Sequence, residues 1–79
     1  MAISTGMIIA RIDADIADTK QRIRDVEAEY DYVQKNFYLA APVKRQEILQ
    51  KARKLAYEHK RLNERIVDLL YEKQKYVIY

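Results

Sequence analysis

One histidine, no cysteine and several carboxylates spaced four apart are the conventional chemical groups of this chain. A zinc site takes four His, Cys or carboxylate ligands, or three and a water. His59 has no second histidine or thiol to join it. Di-iron helical bundles use paired Glu-x-x-His segments, but here the residue three before His59 is Ala56. No Ser or Thr follows Thr19, so a histidine on a second helix has no hydroxyl beside it to activate. His59 is therefore expected in a core or a dimer interface, where its protonation would tune assembly with pH. Asp25 with Glu29, Glu27 with Asp31, and Glu64 with Asp68 and Glu72 form i, i+4 sets. Paired carboxylates do acid–base work when burial drives their pKa values apart; these fall off the apolar stripes, on solvated faces. Gly6 is the only glycine, which excludes a glycine-rich phosphate loop. No catalytic residue, metal or cofactor is expected, and no enzyme.

The better functional lead is charge. Lys44, Arg45, Lys51, Arg53, Lys54, Lys60, Arg61 and Arg65 lie close together, against Glu47, Glu58 and Glu64. Arg53, Lys54, Lys60 and Arg61 share the outer side of one helix, beside Tyr57 and the more distant Tyr71. Cations that meet phosphates, next to exposed rings, make a candidate nucleic-acid or anion-binding surface. The same pattern also describes an ordinary solvated helix face. Tyr57 and Tyr71 are candidate anchors for a protein partner, since aromatic rings dominate binding hot spots. Lys44 and Arg45 fall in the first turn of a helix, where positive charge opposes the helix dipole. There they could join free backbone N–H groups in binding an anion.

These residues are positioned by a seven-residue apolar rhythm that breaks once, at residues 38–42. The first stripe reads Ile9, Ile12, Ile16, Thr19, Ile23, Val26, Tyr30, Val33, Phe37. The second reads Ile48, Ala52, Leu55, His59, Leu62, Ile66, Leu69, Lys73, Tyr76. Alternating steps of three and four make the seam of a coiled coil. Ser4 or Thr5 can cap the first helix, and Asp13 and Asp15 would suit the positive end of its dipole. Pro42 suits the first position of the second helix and pushes Ala41 outside it. The spacing predicts helices over residues 5–38 and 42–77, a turn over 39–41, and an antiparallel hairpin forming one domain. Folding there pairs residues whose numbers sum to about 85, such as Ile16 with Leu69. Lys73 is expected to snorkel outward.

A two-helix hairpin leaves much apolar surface wet. The second helix carries a further line at strict seven-residue intervals: Leu49, Ala56, Asn63, Leu70 and Val77. It widens the apolar face to the pattern of a helix in a bundle. This line is the candidate dimer interface, with Asn63 as a residue that sets register. The first helix has a line of small residues, Ala10, Ala14, Ala17, Gln21 and Ala28, that permits close approach. A homodimer forming a four-helix bundle is expected, since a small chain without disulfide or metal must find its core elsewhere.

Composition agrees. Hydrophobic residues are 49% and charged residues 34%, the balance of a folded domain. No purely apolar run, residues 7–10 among them, comes near the roughly 20 residues that cross a bilayer. No secretory signal is read near Met1, so an intracellular (cytoplasmic) location and no membrane partner are expected. Residues 1–37 carry five basic and seven acidic groups; residues 38–79 carry ten and five. One arm is mildly acidic and the other basic, which suits antiparallel arms lying side by side. The abundance of Ile, Tyr, Lys, Arg and Glu leans toward a thermophile.

In size and shape the hairpin resembles small regulatory or adaptor hairpins encoded by plasmids and viruses. Arg11 and Arg22 on a long first arm superficially resemble all-helical chorismate mutases, but that fold needs further short helices and breaks. The leading expectation is a small interaction module, an adaptor or regulator that binds a macromolecule, protein first. The alternative is nucleic-acid binding by the basic face and the hairpin tip.

Overall fold

The structure is a computed structural model that describes residues 4–77. It is an all-α antiparallel hairpin of two helices, α1 over Thr5–Leu39 and α2 over Pro42–Val77. Ser4 caps α1, its side-chain oxygen accepting the Met7 N–H at 3.2 Å. α1 ends where Ala40 turns to an extended conformation and its N–H donates to the Phe37 carbonyl. Pro42 opens α2, so the connection is only Ala40 and Ala41, one residue shorter than the spacing predicts. The first turn of α1 contains no acid. Asp13 lies too far along to feel the dipole, which acts within the first turn, and Asp13 instead pairs across to α2.

The molecule is a rod 60 × 20 × 14 Å with a radius of gyration of 18.0 Å. A globular chain of this length has a radius of about 12 Å, so a large share of the surface stays outside. Six hydrophobic residues are buried among the described residues: Ile12, Ile16, Val26, Val33, Leu55 and Leu69. They form two clusters. Ile12, Ile16 and Leu69, with Ile8 and Ile66, pack toward the open end. Val26, Val33 and Leu55, with Ile48, Ala52 and Leu62, pack toward the turn. The expected contact of Ile16 with Leu69 is present.

The seam is not apolar throughout. Thr19 is buried between the clusters, its hydroxyl donating to the Asp15 carbonyl at 2.7 Å. That bond lets a hydroxyl sit in the core without an orphaned donor. The two apolar lines of α1 also have different fates. Ile12, Thr19, Val26 and Val33, seven apart, are all buried. Of Ile9, Ile16, Ile23, Tyr30 and Phe37, also seven apart, only Ile16 is buried and Tyr30 is exposed. The second line therefore borders one long edge of the rod rather than filling the seam.

Candidate functional site

The two long edges of the hairpin are built differently. Along the first edge, Asp13 Oδ1 lies 2.7 Å from Lys73 Nζ, and Glu27 Oε1 accepts from His59 Nε2 at 3.0 Å. Lys73 is thus tied to α1 by an ion pair, where free snorkelling was expected. The other ring nitrogen of His59, Nδ1, accepts from Asn63 Nδ2 at 3.2 Å. Both imidazole nitrogens are thus engaged by side chains, one from each helix. The chain Glu27–His59–Asn63 ties the arms together beside the buried Val26.

Along this same edge runs the line expected to join two copies. Leu49 is 39%, Leu70 50% and Val77 54% exposed, with Ala56 and Asn63 also on the surface. A groove of about 370 Å³ opens here between Tyr30, Glu27 and Asp31 of α1 and Ala56 and His59 of α2, floored by Val26 and Leu55. Further from the turn, Val67, Leu70, Tyr71 and Val77 border a shallower depression beside Lys73. Leu49, Leu70 and Val77, already about half-buried, would gain only part of the about 1.5–3 kcal/mol that complete burial of such a side chain is worth.

The opposite edge is charged. Arg22 Nη2 lies 2.6 Å from Glu58 Oε1, and Lys51 Nζ lies 3.9 Å from Glu29. The hydrogen bond that Arg22 donates to Glu58, and then the Glu58 charge, raise the Arg22 pKa above its ordinary value. Arg22 thus keeps its charge at any working pH. Exposed pairs of this kind stabilise little and are screened by salt.

All eight candidate basic residues are exposed: Lys44, Arg45, Lys51, Arg53, Lys54, Lys60, Arg61 and Arg65. They are not equally available. Lys51 faces Glu29, Arg61 lies over the Tyr57 ring at 5.9 Å, and Arg45 lies over the Phe37 ring at 5.5 Å. The Phe37 contact offsets part of what Arg45 costs at the start of α2, since an exposed cation–π pair contributes about 0.5–1 kcal/mol. Lys44, Arg53, Lys54, Lys60 and Arg65 make no salt bridge among the described residues. Tyr57 and Tyr71 are 61% and 68% exposed, each ring carrying a cation on one face, Arg61 and Lys75.

The hairpin tip was expected to bind through its basic residues; its apolar character was not expected. Tyr38, Leu39 and Val43 are 72%, 85% and 86% exposed, forming an apolar tip flanked by Lys44 and Arg45. The signal was present as an unbroken run of uncharged residues, 36–43, across the break in rhythm. Among the described residues no group of three His, Asp or Glu side chains is placed to hold a metal. No helix there is long and apolar enough to cross a membrane.

No protein family, curated protein or solved structure matches this chain. Its function must be argued from its own surfaces.

Proposed function

We propose that this chain is a non-enzymatic interaction module, a small helical adaptor or regulator that acts inside the cell as a homodimer. The supporting observation is the exposed apolar line Leu49, Ala56, Leu70 and Val77, which lies beside the half-exposed line Ile9, Ile23, Tyr30 and Phe37. Together they form one face along the rod. The rod, 60 by 20 Å on its broad side, has room there for the about 800 Å² per partner of a standard interface. Covering it with a second hairpin makes a four-helix bundle and gives the small core the burial it lacks. The outer faces then remain for a macromolecular partner, with Tyr57 and Tyr71 as the anchors. The shape and size suit a hairpin of plasmid or viral origin.

Mass in solution tests this reading. Sedimentation equilibrium at micromolar concentration should give twice the chain mass; a fully helical monomer overturns it. Once the dimer is found, loss of partner capture on substituting Tyr57 and Tyr71 together would place the docking surface there.

A second reading, nucleic-acid binding, is favoured by one observation: five basic residues of α2 face solvent without an acidic partner among the described residues. Binding through them must weaken steeply between 50 and 200 mM salt, because each neutralised phosphate releases a counterion. Undetectable binding to duplex and single-stranded probes at low salt would remove this reading.

A further inference from the structure

We infer that the hairpin tip docks end-on against an anionic phospholipid surface. Tyr38, Leu39 and Val43 flank the two-residue connection, and each is more than two-thirds exposed. None of the three belongs to either line of the proposed dimer face, so a second hairpin on that face does not account for them. Apolar side chains gathered in one exposed patch mark a contact site, whereas single ones need no explanation. From Tyr32 to Gln46 the chain carries Lys35, Lys44 and Arg45 and no acid. All three cations are exposed, and none has a salt-bridge partner among the described residues. Arg45 lies over the Phe37 ring at 5.5 Å, and the Tyr38 ring meets Phe37 edge-on at 5.7 Å. The tip is thus apolar at its end and positive around its base.

Charge and area select the occupant. Tip-to-tip contact of two copies sets Lys35, Lys44 and Arg45 against their like, which repels. The phosphates of a nucleic acid would take the cations but give Leu39 and Val43 nothing apolar to meet. A protein surface meeting the end of the rod gains little. That end is only 20 × 14 Å across, well below the about 800 Å² that each partner buries in a standard interface.

An anionic bilayer uses both features. Its interface takes up apolar side chains without a shaped pocket, and it holds tyrosine at the level of the headgroups. Its surface potential attracts Lys and Arg that lie within a Debye length. Peripheral binding combines these two contributions, buried apolar area and attraction to anionic lipid. No helix among the described residues is long and apolar enough to cross a membrane. The contact is therefore peripheral, and it amends the expectation of no membrane partner.

The absence of cysteine makes the test direct. Ala41→Cys places an environment-sensitive fluorophore in the connection, and Glu64→Cys places it near the middle of the basic arm; both positions are exposed. Phosphatidylcholine vesicles containing about one-third phosphatidylserine should blue-shift the label at 41 and leave the label at 64 unchanged. Pure phosphatidylcholine vesicles should bind about tenfold more weakly. Leu39→Ser with Val43→Ser should weaken binding to the mixed vesicles about tenfold and keep full helicity, since both side chains are exposed. Undiminished binding by that double variant, or a shift at both labels, overturns the inference in favour of the basic arm lying flat. No shift with vesicles removes lipid as the occupant, and a shift with an oligonucleotide instead gives the tip to nucleic acid. Mass in solution is a separate measurement, so failure here leaves the homodimer standing.

Discussion

The two edges of the hairpin tie the same arms together with the same number of cross-helix side-chain contacts, yet the surfaces beside those contacts differ. On the first edge, Asp13–Lys73 and Glu27–His59–Asn63 are bordered by Leu49, Leu70 and Val77. On the second, Arg22–Glu58 and Glu29–Lys51 are bordered by Arg61, Glu64, Arg65 and Asp68. Salt bridges therefore do not mark the interface; the side chains next to them do. A pair at the rim of an apolar face directs register and partner choice, while a pair among charges is a solvated decoration.

The seam between the edges should be the most sensitive region. Leu55 is 6% exposed at the centre of the cluster near the turn. Leu55→Ala should cost about 2–5 kcal/mol, read as a fall in the urea midpoint with little change in slope. Because Leu55 serves both edges, the loss should not depend on salt. A cost below about 1 kcal/mol would mean that the seam is looser than the burial indicates.

The comparison of edges is tested most directly by placing one acid on each. Leu70→Glu should raise the dimer dissociation constant by at least tenfold, because a charge would be trapped between the copies. Arg65→Glu, at a similar distance along the other edge, should leave the mass in solution unchanged. Equal effects of the two substitutions would erase the distinction. A dimer broken only by Arg65→Glu would put the interface on the charged edge.

Much of this was legible in the sequence. The alternation of three and four, broken at Pro42, specifies two helices, and the short break lets them fold back so that both stripes meet. The fate of individual stripe residues was less legible. Tyr30, His59 and Lys73 all fall on the rhythm, yet Tyr30 is exposed and the other two only half-buried. A heptad seam is two residues wide, and in this two-helix rod one of the α1 lines borders solvent. The roles of Glu27 and Asp13 escaped because a cross-helix pair depends on level and edge, which periodicity along one helix does not reveal. The apolar tip escaped because a turn is expected to be polar.

Cap removal should have a smaller effect than either interface change. Ser4 is the only side chain that receives an N–H at the start of α1 among the described residues. Ser4→Ala should lower stability by about 0.5–1 kcal/mol, the low end for a cap on an exposed terminus. Helicity should fall only in the first turn, read by amide exchange at residues 5–8, with the dimer unchanged.

The smallest expected effect belongs to the pair that looks strongest in distance. Arg22→Ala removes the 2.6 Å contact with Glu58, but both side chains face water, at 52% and 37% exposure. The destabilisation should be near the limit of measurement at low salt and vanish above physiological ionic strength. Its pH dependence follows from the direction of the Arg22 shift. A pKa raised on folding contributes stability that is complete below the unfolded value and lost only as pH rises through the folded one. For a guanidinium that window lies in strong alkali, so the arginine's own titration cannot change the pair's contribution across the working range. Wild type and Arg22→Ala should then show parallel stability curves from pH 6 to 9. A divergence there would mean that Arg22 touches another titrating group, and that the charged edge is closer to an interface than its exposure suggests.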